Sequence, residues 1–265
     1  MKAKRDHYVP QAYLECFRDS SGMFYILDRD KNIIHNSHPR SVMFIPGHLT
    51  KDEYGQAIDE YFHKYESNIK PIITKICSHS DRFILSDWEY VLLSGYIESQ
   101  YIRVPKIADI NNNTIGDLLS YIMTNALGIH NLRDWFAIMN WSIVKSASLP
   151  FITTDSPVII FDRNVLPDQR ILQPETLHTF MHKRDATVCF PLDMRHMLYM
   201  QHFVEFRSRR DELVTLNYKY IQDKSVNSIN QLMVLFSDMR VVCNNLSYLR
   251  DISNGTEYEN KSGRR

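Results

Sequence analysis

PFITTDSPVIIF, residues 150–161, is the point where the chain changes texture. Thr153 and Thr154 on one side, and Val158 to Phe161 on the other, are β-branched or aromatic, the types that suit a pleated surface. Asp155, Ser156 and Pro157 between them supply turn chemistry, so the stretch predicts two extended segments joined at a bend. Upstream the spacing is helical. Ile58, Phe62, Tyr65, Ile69, Ile72 and Ile76 recur at three- and four-residue steps and form one stripe, with Pro71 predicting a kink or a break inside it. Ser86 and Asp87 offer a cap to a second helix carrying Trp88, Val91, Leu92, Gly95 and Tyr96. Pro105 limits that helix, because the residue before a proline is pushed away from helical angles. A third helical region is expected over roughly 107–145.

Downstream, DATVCFPLDMRHMLYMQ (185–201) predicts two strands around Pro191 to Arg195. Residues 202–236 read as helical, and MRVVC (239–243) as a short strand. At the other end, HYVPQAYLECF (7–17) opens a short apolar helix at Pro10, and MFYILDRDKNIIHNS (23–37) reads as a hairpin turning at Asp28 to Asn32. These elements predict one α+β domain over residues 1–252. It has an N-terminal helix and hairpin, a helical middle and a C-terminal mixed β/α part. The polar stretch 253–265 is expected to be a disordered tail.

Composition narrows the function classes. Hydrophobic residues make up 44% and charged residues 23% of 265, the balance of a globular protein with a sizeable core. Lys plus Arg equals Asp plus Glu at 31 each, so nucleic acid would have to be held by a local patch. RSRRDE (207–212) is the basic cluster available for that. Cysteines 16, 77, 189 and 243 form no CxxC pair, which argues against a thiolate zinc site and a disulfide framework. The N-terminus lacks the apolar run of a secretory signal, and no apolar run is long enough to cross a bilayer, so a cytoplasmic protein without a membrane partner is expected. P-loop, GxGxxG, GxSxG and kinase signatures are absent, so no nucleotide or redox cofactor is expected.

Several polar residues fall where chemistry is plausible. His7 stands just before a helix start and could supply a charge or a proton. Glu66 shares a helix face with part of the apolar stripe, so it is either buried with a partner or lines a pocket. Gln100 and Arg103 lie on the Tyr96 side of the second helix, where Arg103 could grip a carboxylate or phosphate or form a salt bridge with Glu66. Asp155 ends a strand at a turn, either presenting a carboxylate or bonding its own backbone. His178 and His182 have the i, i+4 spacing of a metal pair but lack the glutamate of a zincin.

HYVPQAYLECF resembles the HYVPxxYLxxF signature of DUF4238, a bacterial family of unknown function. YFHKYE, SQYIRVP, FITTDSPVII, FPLDMRHML and VNSIN before RVV are similar to the family's later blocks, in the same order. The resemblance implies that the polar positions of the pattern fall here on His7, Gln11, Glu66, Gln100, Arg103, Asp155 and Asn230. On that set the expectation is a phosphodiester hydrolase, a nuclease for RNA or DNA. Glu66 and Asp155 would hold Mg²⁺, Arg103 would stabilise phosphoryl charge and His7 would act as general acid or base, with Gln11, Gln100 and Asn230 binding substrate. The resemblance also suggests a setting in phage defence or toxin activity. The alternative is a non-catalytic binding or sensor module whose polar residues form a buried structural network.

Overall fold

A computed structural model describes residues 5–46, 55–105, 135–136, 139–162, 186–202 and 214–262. The fold is α+β. Strand β1 (Arg5–His7) leads into helix α1 (Gln11–Leu14) and a 3-10 turn over Glu15–Phe17. Pro10 is the N-cap, and its carbonyl accepts the Tyr13 and Leu14 N–H groups. Strands β2 (Phe24–Asp28) and β3 (Ile33–Ser37) form the expected hairpin, with Asn32 in the left-handed region at the turn. Strand β4 (Phe44–Pro46) pairs antiparallel with β1 and sets His7 opposite Phe44.

Helix α2 (Gly55–Cys77) runs unbroken through Pro71, so the expected break does not occur. Ile69, Ile72 and Ile73 are buried on both sides of the proline, and that packing offsets its missing hydrogen bond. After β5 (Arg82–Ile84), helix α3 (Asp87–Ile102) starts with a reciprocal box in which Ser86 caps the Glu89 N–H and Glu89 returns to the Ser86 N–H. Gly95 lets α2 and α3 approach closely: a Cβ there would lie 2.4 Å from the Tyr65 ring.

The remaining strands are β6 (Met139–Ser146), β7 (Thr153–Thr154), β8 (Ile159–Asp162), β9 (Ala186–Pro191), β10 (His196–His202), β11 (Thr215–Ile221) and β12 (Arg240–Cys243). Helices α4 (Asp223–Phe236) and α5 (Leu246–Ser262) complete the described chain. Two elements correct the helical expectation. Residues 139–145 are strand, not the end of a third helix, because Met139, Trp141 and Ile143 alternate inward with period two. Residues 215–221 are also strand, pairing parallel with β6 and antiparallel with β5. Apart from the buried Trp135 and Phe136, the rest of the expected third helix lies outside the described residues, as do the cluster 207–212, His178 and His182. The ordered domain was expected to end at residue 252; α5 spans Leu246–Ser262.

Strands order as β5-β11-β6-β10-β9-β8 in one sheet, β3-β2-β12-β7 in a second and β1-β4 in a ribbon. Residues 150–161 therefore stitch two sheets together: β7 borders β12 in the four-stranded sheet, while β8 edges the six-stranded one. The inner strands of both larger sheets are buried on both faces, while β3, β5 and β11 stay partly exposed. Ile26, Val242, Val188, Phe190, Leu198 and Ile143 point into a core shared with α1, α2 and α3. Leu27, Val241, Cys189, Met197 and Val144 point the other way, into a core shared with α4 and α5. No helix among the described residues is long and apolar enough to cross a membrane.

Candidate functional site

Arg103 is the centre of the polar arrangement. It is the C-cap of α3, and its backbone N–H returns to the Ser99 carbonyl, so its side chain leaves from a fixed point. The residue is 2% exposed. One terminal nitrogen donates to the Glu66 carboxylate on α2 and the other to the His7 backbone carbonyl on β1. The guanidinium also lies 4.8 Å above the Phe62 ring, one helical turn before Glu66. One buried cation therefore joins three segments that are far apart in sequence. The Glu66 side chain keeps 25% exposure, so its carboxylate is gripped from inside and open from outside. The His7 ring is half-buried and tilted against Phe44 at 5.6 Å.

Tyr96 and Gln100 flank this node at helical spacing before Arg103. Tyr96 is fully buried. Desolvation, with the nearby Glu66 charge adding to it, pushes its phenol well above the ordinary range. Among the described residues, its hydroxyl and both ends of the Gln100 amide have no hydrogen-bond partner. Gln11 turns away and donates to Glu15 at 3.4 Å.

Asp155 and Asn230 do a different job. Asp155 is buried, and its two oxygens accept the backbone N–H groups of Asp238, Met239 and Arg240 at 3.0, 2.6 and 2.9 Å. Burial raises its carboxyl above the usual range, against the pull of those three N–H donors. The aspartate thus serves the backbone of another segment, not its own turn. Asn230 accepts from the Ile152 N–H and donates to the Pro150 carbonyl and the Tyr248 hydroxyl. Together the two residues clamp both ends of the stretch that links the sheets.

The structure thus brings His7, Glu66 and Arg103 together, keeps Gln100 alongside them, and assigns Asp155 and Asn230 to a separate clamp. Sequence patterning places Tyr13 with Leu14 and Phe17 in the apolar stripe of the opening helix but misses its hydroxyl, which bonds Thr153 Oγ1 at 2.9 Å and the Pro191 carbonyl at 2.8 Å, tying α1 to both larger sheets. Its place in the YL of the opening motif was the available signal. Patterning also misses a cluster of Cys77, Asp193 and His196, drawn from a helix end and a strand turn. No curated protein and no solved structure matches the chain. A family model does match, over residues 5–131 and 122–247, and those spans carry the HYVP opening, the Glu66 helix, Arg103, Asp155 and Asn230. The chain belongs to that family, described as protein of unknown function, DUF4238.

Proposed function

We propose that the chain is a phosphodiester hydrolase acting on nucleic acid, with Glu66 as the working carboxylate. The observation that carries this reading is the state of Glu66: held by a buried arginine, seated in mid-helix and still open to solvent. A carboxylate fixed in that way is suited to accept a proton from an attacking hydroxyl or to ligate a Mg²⁺ ion. His7, whose backbone carbonyl accepts from the same Arg103 that holds Glu66, is the proton donor to the leaving oxygen in this reading. Arg103 acts through Glu66 as a positioning residue, because its terminal nitrogens are engaged within the fold. Asp155 stands outside the chemistry, its oxygens being taken by backbone donors. A setting in phage defence or toxicity belongs to the same proposal.

The test is incubation of purified protein with labelled RNA and DNA, with Mg²⁺ or with chelator. Cleavage is expected, and Glu66→Gln should lower it by roughly 100-fold or more while the variant stays folded. Absence of cleavage, or cleavage undiminished in Glu66→Gln and His7→Ala, defeats the proposal. A second reading is favoured by the satisfaction of both terminal nitrogens of Arg103: a polar lock in a non-catalytic binding module. On that reading Glu66→Gln changes the unfolding midpoint and nothing else.

A further inference from the structure

Cys77 closes α2, Asp193 sits in the turn between β9 and β10, and His196 begins β10. From these, one sulfur, one carboxylate oxygen and one imidazole nitrogen lie within 4.8 Å of one another. The place lies about 16 Å along α2 from Glu66 at the helical rise of ~1.5 Å per residue, so it is separate from the proposed hydrolytic site.

The three groups are held in position. Asp193 Oδ1 accepts the backbone N–H groups of Arg195 and His196 at 2.7 and 2.8 Å. His196 Nδ1 lies 2.9 and 3.1 Å from the two Asp193 oxygens. The Cys77 thiol lies within 4.8 Å of the same carboxylate, and the neighbouring Ile76 carbonyl is tied by the Tyr218 hydroxyl at 2.7 Å. His196 is 8% exposed, and its buried Nε2 has no hydrogen-bond partner among the described residues, so it can carry the ring proton while Nδ1 faces Asp193 and Cys77. Cys77 and Asp193 are only partly buried, which leaves a way in from solvent.

We propose that Cys77, Asp193 and His196 form a binding site for a divalent cation of the zinc class. A thiolate, an imidazole and a carboxylate are the donor set of borderline metals, whereas Mg²⁺ takes oxygen ligands. Three protein ligands leave a fourth tetrahedral position for water. On loading, the Cys77 S–H bond breaks, the sulfur–metal bond replaces it and that proton leaves to water, while the proton shared by His196 Nδ1 and Asp193 is exchanged through water to Nε2 so that Nδ1 can ligate. The cation then joins the end of α2 to the β9–β10 turn. Lys145 is the nearby opposing charge. Its Nζ is directed to the His79 carbonyl at 3.4 Å and lies over the rings of Tyr218 and Tyr220. The site stands or falls independently of hydrolysis, because its readouts need no substrate.

The experiment titrates the full chain with Zn²⁺ by calorimetry and with Co²⁺ by absorption. One equivalent should bind, with a thiolate-to-cobalt charge-transfer band. Cys77→Ser should abolish the band, and His196→Ala should weaken affinity by at least about tenfold. Cys16→Ser and the exposed His35→Ala should leave both unchanged. In the wild type, Zn²⁺ should protect Cys77 from alkylation as mapped by mass spectrometry, a measurement that needs no variant to fold. No binding, no protection of Cys77, or a band that survives Cys77→Ser or vanishes in Cys16→Ser, overturns the site.

Discussion

Asp155 and Glu66 are both carboxylates set within the fold, yet their surroundings divide them. Asp155 answers three backbone N–H groups and has no face to solvent. Glu66 answers one guanidinium and keeps a quarter of its side chain in water. Satisfaction from every side makes a carboxylate a structural joint, while partial satisfaction leaves it free to meet a substrate or proton. The clamp around residues 150–157 and the node between α2 and α3 are therefore two uses of buried polarity in one molecule.

The largest expected effect is on the node. Arg103→Ala strips the buried cation from Glu66 and the His7 carbonyl, and should destabilise the protein by about 3 kcal/mol, the low end for a broken buried pair because Glu66 is partly solvated. Urea unfolding measures it; a change below about 1 kcal/mol would erase the distinction between a fixed and a merely neighbouring arginine. Asp155→Asn comes next, at about 2–3 kcal/mol, because an amide NH₂ must then face backbone N–H donors. Cleavage per folded molecule should be unchanged in that variant, and a selective loss of cleavage would move Asp155 back into the chemistry. Gly95→Ala should lower stability by about 1–3 kcal/mol by driving a methyl into the Tyr65 ring. It should also lower cleavage, since the α2–α3 approach sets Glu66 against Arg103.

The smallest effect is a pH dependence. The Lys70 ammonium, by its hydrogen bond, holds the Glu15 carboxyl below its usual range and ties the 3-10 turn to α2. A depressed folded value means that the stabilisation is complete above the unfolded carboxylate range and is lost as pH falls through the folded value. Both groups are partly exposed, so less than about 1 kcal/mol is at stake. Comparing acid unfolding of the wild type with Lys70→Met isolates it, and identical acid limbs would remove the pair from the account.

What the sequence makes legible is local. The hairpin at residues 23–37, the cap at Ser86, the stripe of α2 and the bend at Asp155 each rest on neighbours within a few residues, and each stands in the structure. Strands β6 and β11 escape because TLNYKYI and MNWSIVKS lie next to helical patterns, and their parallel pairing with each other leaves no mark in either segment. Asp155 could be read as a turn residue, but its partners are backbone N–H groups of residues 238–240, which no side-chain pattern encodes. Cys77, Asp193 and His196 lack motif spacing for the same reason: their proximity is made by packing α2 against the β9–β10 turn.

The order of strands in the four-stranded sheet also governs the timing of folding. Strand β2 pairs on one side with β3, made moments later, but on the other side with β12, where Asp28 meets Arg240. During synthesis at roughly 5–20 residues per second, the second edge of that hairpin waits on the order of 10–40 s for its partner. Through that interval Phe24 and Ile26 have no finished core to enter. The nascent chain therefore presents an open strand edge until residues 240–243 have emerged, so this sheet is completed long after its own hairpin.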